Sequence, residues 1–138
     1  YLDLSKSSRP IVYLNNKDVE LQGTLNSEGT RGMKARLRDT IYQSIIHPVY
    51  IQLIINAIQK WEGGESDGFE ADWQEAILNR YVDKLIITDG LSDNQKFTEL
   101  KKMYQDSPSH IIGEINKIIS KEHQPLEAFT KMIKEQND

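Results

Sequence analysis

The sequence predicts a mainly α-helical fold, a bundle of about six helices around a buried central helix at residues 48–61, with a small N-terminal β-hairpin in front of it. Three observations carry this reading. Apolar residues recur at three- and four-residue intervals from Met33 onwards. Helix-capping signals punctuate that pattern, and the β-prone residues gather before position 22.

Arg9-Pro10-Ile11-Val12-Tyr13-Leu14 is a β-prone run with proline near its start, where a missing N–H donor is tolerated. Asn15-Asn16-Lys17-Asp18 is turn chemistry, and Val19-Glu20-Leu21 alternates apolar and polar, so the hairpin is expected to join residues 9–14 to residues 19–21. Two strands alone are marginal in water and should pack on a helix or pair with more chain. The first ten residues read as linker-like, and Gly23 to Gly32 as a loop rich in Gly, Ser, Thr and Asn.

Met33, Leu37, Ile41 and Ile45 repeat every four residues and predict a helix over about 32–46. His47 precedes Pro48, which biases it away from the α region, so this helix should stop there and another begin at the proline. In that next helix Val49, Tyr50, Ile51, Leu53, Ile54, Ile55, Ala57, Ile58 and Trp61 occupy most of the circumference. Gln52, Asn56 and Gln59 form its polar stripe. A helix apolar on most sides must be covered on most sides. Starting at Pro48 it would also be too short to cross a bilayer, which takes about 20 apolar residues.

Residues 62–68 read as an acidic loop, with Asp67 and Glu70 at capping-box spacing. Phe69, Trp73, Ile77 and Tyr81, with Leu78, Val82 and Leu85 alongside, mark an amphipathic helix to about residue 86. Residues 82–88 could instead form a short strand, but the unbroken period favours helix. Ser92 and Gln95 form a second capping box, before a helix that buries Phe97, Leu100 and Tyr104. Ser107-Pro108 opens the next, with Ile111, Ile112, Ile115, Ile118 and Ile119 inward. Gln124-Pro125 restarts the backbone for a last helix burying Leu126, Phe129, Met132 and Ile133.

With 138 residues, 38% hydrophobic and 28% charged, the chain fits a single domain. Residues 1–30 form its hairpin and linker-like segment and residues 31–138 its bundle; a chain opening on Tyr1 reads as part of a larger protein. The absence of cysteine excludes disulfides, thiolate metal sites and thiol nucleophiles. It is compatible with a reducing compartment, and the expected location is cytoplasmic. Residues 1–38 carry seven bases against four acids, a balance of +3, and residues 39–138 ten against seventeen, a balance of −7.

Catalytic constellations are absent. His110 and Glu114 stand at i, i+4, but no His-Glu-x-x-His accompanies them, and His47 and His123 sit before prolines or near them. Placing Gly68 at the glycine of a calcium loop puts Gly63 and Gln74 at the first and twelfth ligand positions, where carboxylates are needed. Asp67, Glu70, Asp72 and Glu75 suit a helix start. No nucleophile elbow, dinucleotide fingerprint or P-loop occurs. No catalytic residue, metal or cofactor is therefore expected.

The most suggestive polar feature is the basic cluster Arg31, Lys34, Arg36 and Arg38, in which positions 31, 34 and 38 lie along one helical face that could contact phosphates. Its plain alternative is a solvated face balanced by acids elsewhere. Gln52, Asn56 and Gln59 are either the wet side of their helix or a seam for a partner; a buried, unpaired amide would cost about 1–3 kcal/mol, which favours exposure. The function expected is a non-enzymatic helical module that binds another macromolecule, foremost a protein or the rest of a parent chain. The alternatives are nucleic-acid binding through residues 31–38, and an accessory domain of an enzyme whose site is completed elsewhere, with the acids of residues 67–75 or His110 and Glu114 as its first suspects. No membrane contact is expected.

Overall fold

The computed structural model describes residues 1–5, 9–14, 19–29, 31–63 and 68–123. Among them are two strands, β1 (Leu2–Asp3) and β2 (Ile11–Val12), and five helices, α1 (Val19–Leu25), α2 (Met33–Lys60), α3 (Asp72–Leu85), α4 (Asp93–Asp106) and α5 (Pro108–His123). The protein is mainly helical with a small antiparallel hairpin at its N-terminus.

The hairpin has a different partner from the one its sequence suggests. β1 pairs with β2 in the register Leu2 opposite Val12 and Asp3 opposite Ile11, and the turn expected at residues 15–18 lies outside the described residues. The pairing continues at Tyr1, whose carbonyl accepts the Tyr13 N–H at 2.7 Å. The two rings stack with centroids 4.9 Å apart. An aromatic cross-strand pair of this kind compensates for very short strands. Val19, Glu20 and Leu21 open α1 instead. Three alternating residues fit a helix as well as a strand, and Leu21, Thr24 and Leu25 recur at the helical interval, with Thr24 buried.

The helices expected on either side of Pro48 are one element. α2 runs for 28 residues with Pro48 inside it, about 42 Å at the usual rise. Proline deprives the helix of one N–H and strains the preceding turn, at about 3 kcal/mol. Packing outweighs this: α2 lies against α1, α3, α4 and α5, and Pro48 itself stands exposed. The greater length also changes the comparison with a bilayer. An 18-residue window of α2 has a mean hydropathy of 1.3, and by length and composition the helix could span a membrane. Only 17% of that window is buried; Ile54, Ala57 and Ile58 are its buried part, in one cluster with residues of α3, α4 and α5.

α3 begins at Asp72, so Glu70 precedes the helix and pairs with Lys60 at 2.9 Å instead of capping it. The N-cap is Ala71, whose N–H donates to Gln74 Oε1 at 3.1 Å; with no side-chain oxygen to return the bond, Ala71 accepts the Gln74 N–H on its main-chain carbonyl at 3.0 Å. The helix ends at Leu85, and residues 86–88 form neither helix nor strand. α4 starts as its sequence predicts: Ser92 Oγ accepts the Gln95 N–H at 3.3 Å, and Gln95 Oε1 accepts the Ser92 N–H at 2.8 Å. Pro108 occupies the first position of α5. The sixth helix, expected after Pro125, lies outside the described residues.

The core is built from Ile54, Ile58 and Trp61, Leu78, Tyr81 and Val82, Phe97 and Leu100, and Ile111, Ile115 and Ile119. Trp61 sits in an aromatic trio with Phe69 and Phe97, the centroids 4.9–5.5 Å apart. Its indole N–H donates to Thr98 Oγ1 at 3.1 Å, and its carbonyl accepts from Lys101 Nζ at 2.5 Å, which ties the end of α2 to α4.

Candidate functional site

The apolar residues of α2 are unevenly covered along its length. Towards the C-terminal end Ile54, Ala57 and Ile58 are buried, whereas Ile41, Ile45, Ile46 and Val49 are half-buried and Met33, Leu37 and Tyr42 remain about 40% exposed. The hairpin lies beside this less covered half and leaves a groove of about 320 Å³ between the two. One wall is Val12, Tyr13 and Leu14, themselves 40–44% exposed. The other is Ile45, Pro48 and Val49, edged by Ser44 and Gln52. At about 100° of rotation per residue, Lys34, Leu37 and Ile41 share the face of Pro48 and Gln52, so the apolar path continues past the hairpin towards the start of α2.

The four basic residues do not act alike. Arg38 is turned onto its own chain: Nη1 donates to the carbonyls of Ser27 at 2.7 Å and Gly29 at 3.0 Å, while Nε and Nη2 both reach Asp39 Oδ1 at 2.9 and 2.8 Å. This guanidinium, together with the Tyr42 hydroxyl donating to the Leu25 carbonyl at 3.3 Å, fastens α1 and the loop after it to α2. Arg36 is half-buried, and Arg31 and Lys34 are exposed.

The amide stripe also divides. Gln52 is exposed at the groove edge. Asn56 is half-buried, and its Oδ1 accepts from Gln74 Nε2 at 3.1 Å. Gln74, 3% exposed, thus has its carbonyl committed to the α3 cap and its amide to α2. Gln59 is exposed, with Nε2 3.4 Å from the Tyr104 hydroxyl. Asn56, Lys60, Glu70, Trp73 and Gln74 line a second, more polar cavity of about 240 Å³ with Leu4 and Ser5.

Two polar groups not anticipated from the sequence lie on the inner face of α2. His47 Nε2 is 2.6 Å from Asn116 Oδ1 of α5, while His47 Nδ1 and Gln43 Oε1, one turn earlier, are buried without a hydrogen-bond partner. The signal for them was the i, i+4 spacing of Gln43 and His47, obscured by reading His47 as a helix end. Across the bundle, the Tyr81 hydroxyl donates to Glu122 Oε2 at 2.8 Å, Lys84 bonds Glu122 Oε1, and Arg80 stands 3.6 Å away. Burial, then the bond to Glu122, pushes the Tyr81 phenol far above its ordinary range.

His110 is exposed, and Glu114 pairs with Lys117 at 2.6 Å, a bond that holds its carboxyl below the usual range. Among the described residues no three histidine or acidic side chains converge as a metal site would require. Asp72 and Glu75 are exposed in the first turn of α3; Asp67 lies outside the described residues. The fold and the groove define the class of architecture, a helical bundle with an N-terminal hairpin beside a half-covered helix. No family model, curated protein or solved structure matches this chain.

Proposed function

We propose that this chain is a non-enzymatic interaction module that binds another protein in the groove between the hairpin and the middle of α2. The observation that supports it is the exposure of Val12, Tyr13 and Leu14 around an open concavity, with Leu37 and Met33 exposed further along α2 towards its start. Contiguous apolar surface of this kind is a mark of macromolecular docking. Residues 48–61 serve on this reading as the centre of the bundle, and the hairpin as one lip of the site. Gln52 is its polar edge. The nucleic-acid alternative retains Arg31 and Lys34 but not the guanidinium of Arg38, which is spent on the Ser27 and Gly29 carbonyls.

The test is selection of displayed peptides against the purified chain, followed by titration of the selected peptides with the Ile45→Glu and Leu37→Glu variants. Leu37 is exposed enough for the second variant to keep its fold. Binding weakened by at least about tenfold in both variants supports the groove, since a buried charge in an apolar contact is strongly disfavoured. Peptides that bind both variants as well as the parent would place the docking face elsewhere. Titration with DNA and RNA at about 50 and 200 mM salt checks the alternative: salt-sensitive binding lost on replacing Arg31 and Lys34 by alanine would favour it.

A further inference from the structure

Resting on that reading of the groove, we infer that its occupant is an amphipathic helix of a partner protein carrying carboxylates beside its apolar stripe. Among the described residues, those that line the groove have no charged side chain. An apolar path follows the same face of α2 through Ile41 and Leu37 and ends at Lys34; Lys34 and Arg31, which lies just before the helix, are both exposed. The only acid in α2 is Asp39, already paired with Arg38. The path therefore runs from a neutral concavity to a positive end, which the unbalanced N–H groups of the first helical turn reinforce: Gly32 offers no side-chain cap, and the turn contains no acid.

This pattern discriminates among occupants. A second copy docked by two-fold symmetry presents the same groove, whose described lining has no carboxylate to answer Lys34 and Arg31. A nucleic acid answers the charges but not the neutral apolar groove, which is the larger part of the site. An added β-strand needs a longer edge than two paired residues with Pro10 beside them provide. A helix laid along α2 from Lys34 to Gln52 would span roughly 27 Å, about five turns, with apolar anchors at i, i+4 and i+7.

The experiment uses the whole chain and two synthetic 18-residue helical peptides with identical leucine and isoleucine anchors, one flanked by glutamate and the other by glutamine. Fluorescence anisotropy would read binding at about 50 and 200 mM salt. The glutamate peptide is expected to bind about three- to tenfold more tightly at the lower salt, a margin that shrinks at the higher salt and in Arg31→Glu/Lys34→Glu. Both peptides should weaken in Leu37→Glu. Equal affinity for the two peptides, still lost in Leu37→Glu, would overturn the acidic partner while leaving the groove standing. Absence of any Leu37-dependent binding would overturn both. Binding to anionic phospholipid vesicles in preference to the glutamate peptide, or concentration-dependent dimerisation lost in Leu37→Glu, would overturn the inference in favour of a lipid surface or a second copy.

Discussion

At the scale of single residues, the stability of the bundle draws on a few polar side chains that the apolar pattern does not mention. Glu122 is the clearest. Burial alone would raise its carboxyl, but the bonds from Lys84 and Tyr81 outweigh burial and hold it below the usual range. A carboxyl depressed in the folded state contributes stability above its unfolded pKa, and that contribution is lost as pH falls through the folded value. Glu122→Gln should therefore lower stability at neutral pH by on the order of 1 kcal/mol, the half-exposed cations being discounted for screening. In thermal denaturation the gap between variant and parent should close as the pH is taken down through the carboxylate range. A gap that persists unchanged in acid would mean that the ion pairing contributes nothing. Tyr81, shifted the other way, keeps its contribution at every pH below the ordinary phenol range and loses it only in strong alkali. Of these residues the sequence shows Tyr81 as a core position and nothing of Glu122, because the two lie 41 residues apart and meet only when α3 and α5 pack. Gln74 was hidden for the same reason: its partner is on α2.

At the scale of elements, local period and capping chemistry were reliable where they were the deciding forces. Ser92 and Gln95 begin α4, Pro108 begins α5, and Ile111, Ile115 and Ile119 form its buried face. They failed where distant contacts decide. Nothing near Val12 indicates that Leu2 is its partner, and the bias of a residue before proline is smaller than the packing that carries α2 through Pro48. The candidate site inherits both failures, since the groove exists only because the hairpin folds back on a helix that does not stop. Pro48 is exposed within that helix, so Pro48→Ala should restore a backbone bond and raise stability by about 1–3 kcal/mol, as read by urea denaturation. A loss of stability instead would show that the groove-side geometry of α2 depends on the proline ring.

At the scale of the whole molecule, burial is graded along α2. The last turns of α2 lie in the shared core; its first half is held by α1 and the Arg38 clamp. Local opening follows the number of buried apolar contacts. Hydrogen exchange under native conditions should therefore find the amides of residues 33–46 and of α1 opening more readily than those of residues 54–60, α4 and α5. Uniform protection along α2 would contradict the gradient. The same uneven cover leaves Arg31 and Lys34 exposed at the end of the less buried half.

Pro48 also bears on the recognition proposed for the groove. It has no N–H to offer the carbonyl of Ser44, and both residues line the groove. The wall thus contains a main-chain carbonyl that lacks its usual helical donor, with the proline ring standing where that donor would be. A substitution at position 48 that mends the helix would also take an apolar ring out of the groove wall, so firmness of the fold and tightness of the proposed grip should move in opposite directions. Such an opposition would keep a helix-breaking residue in place where stability alone would discard it.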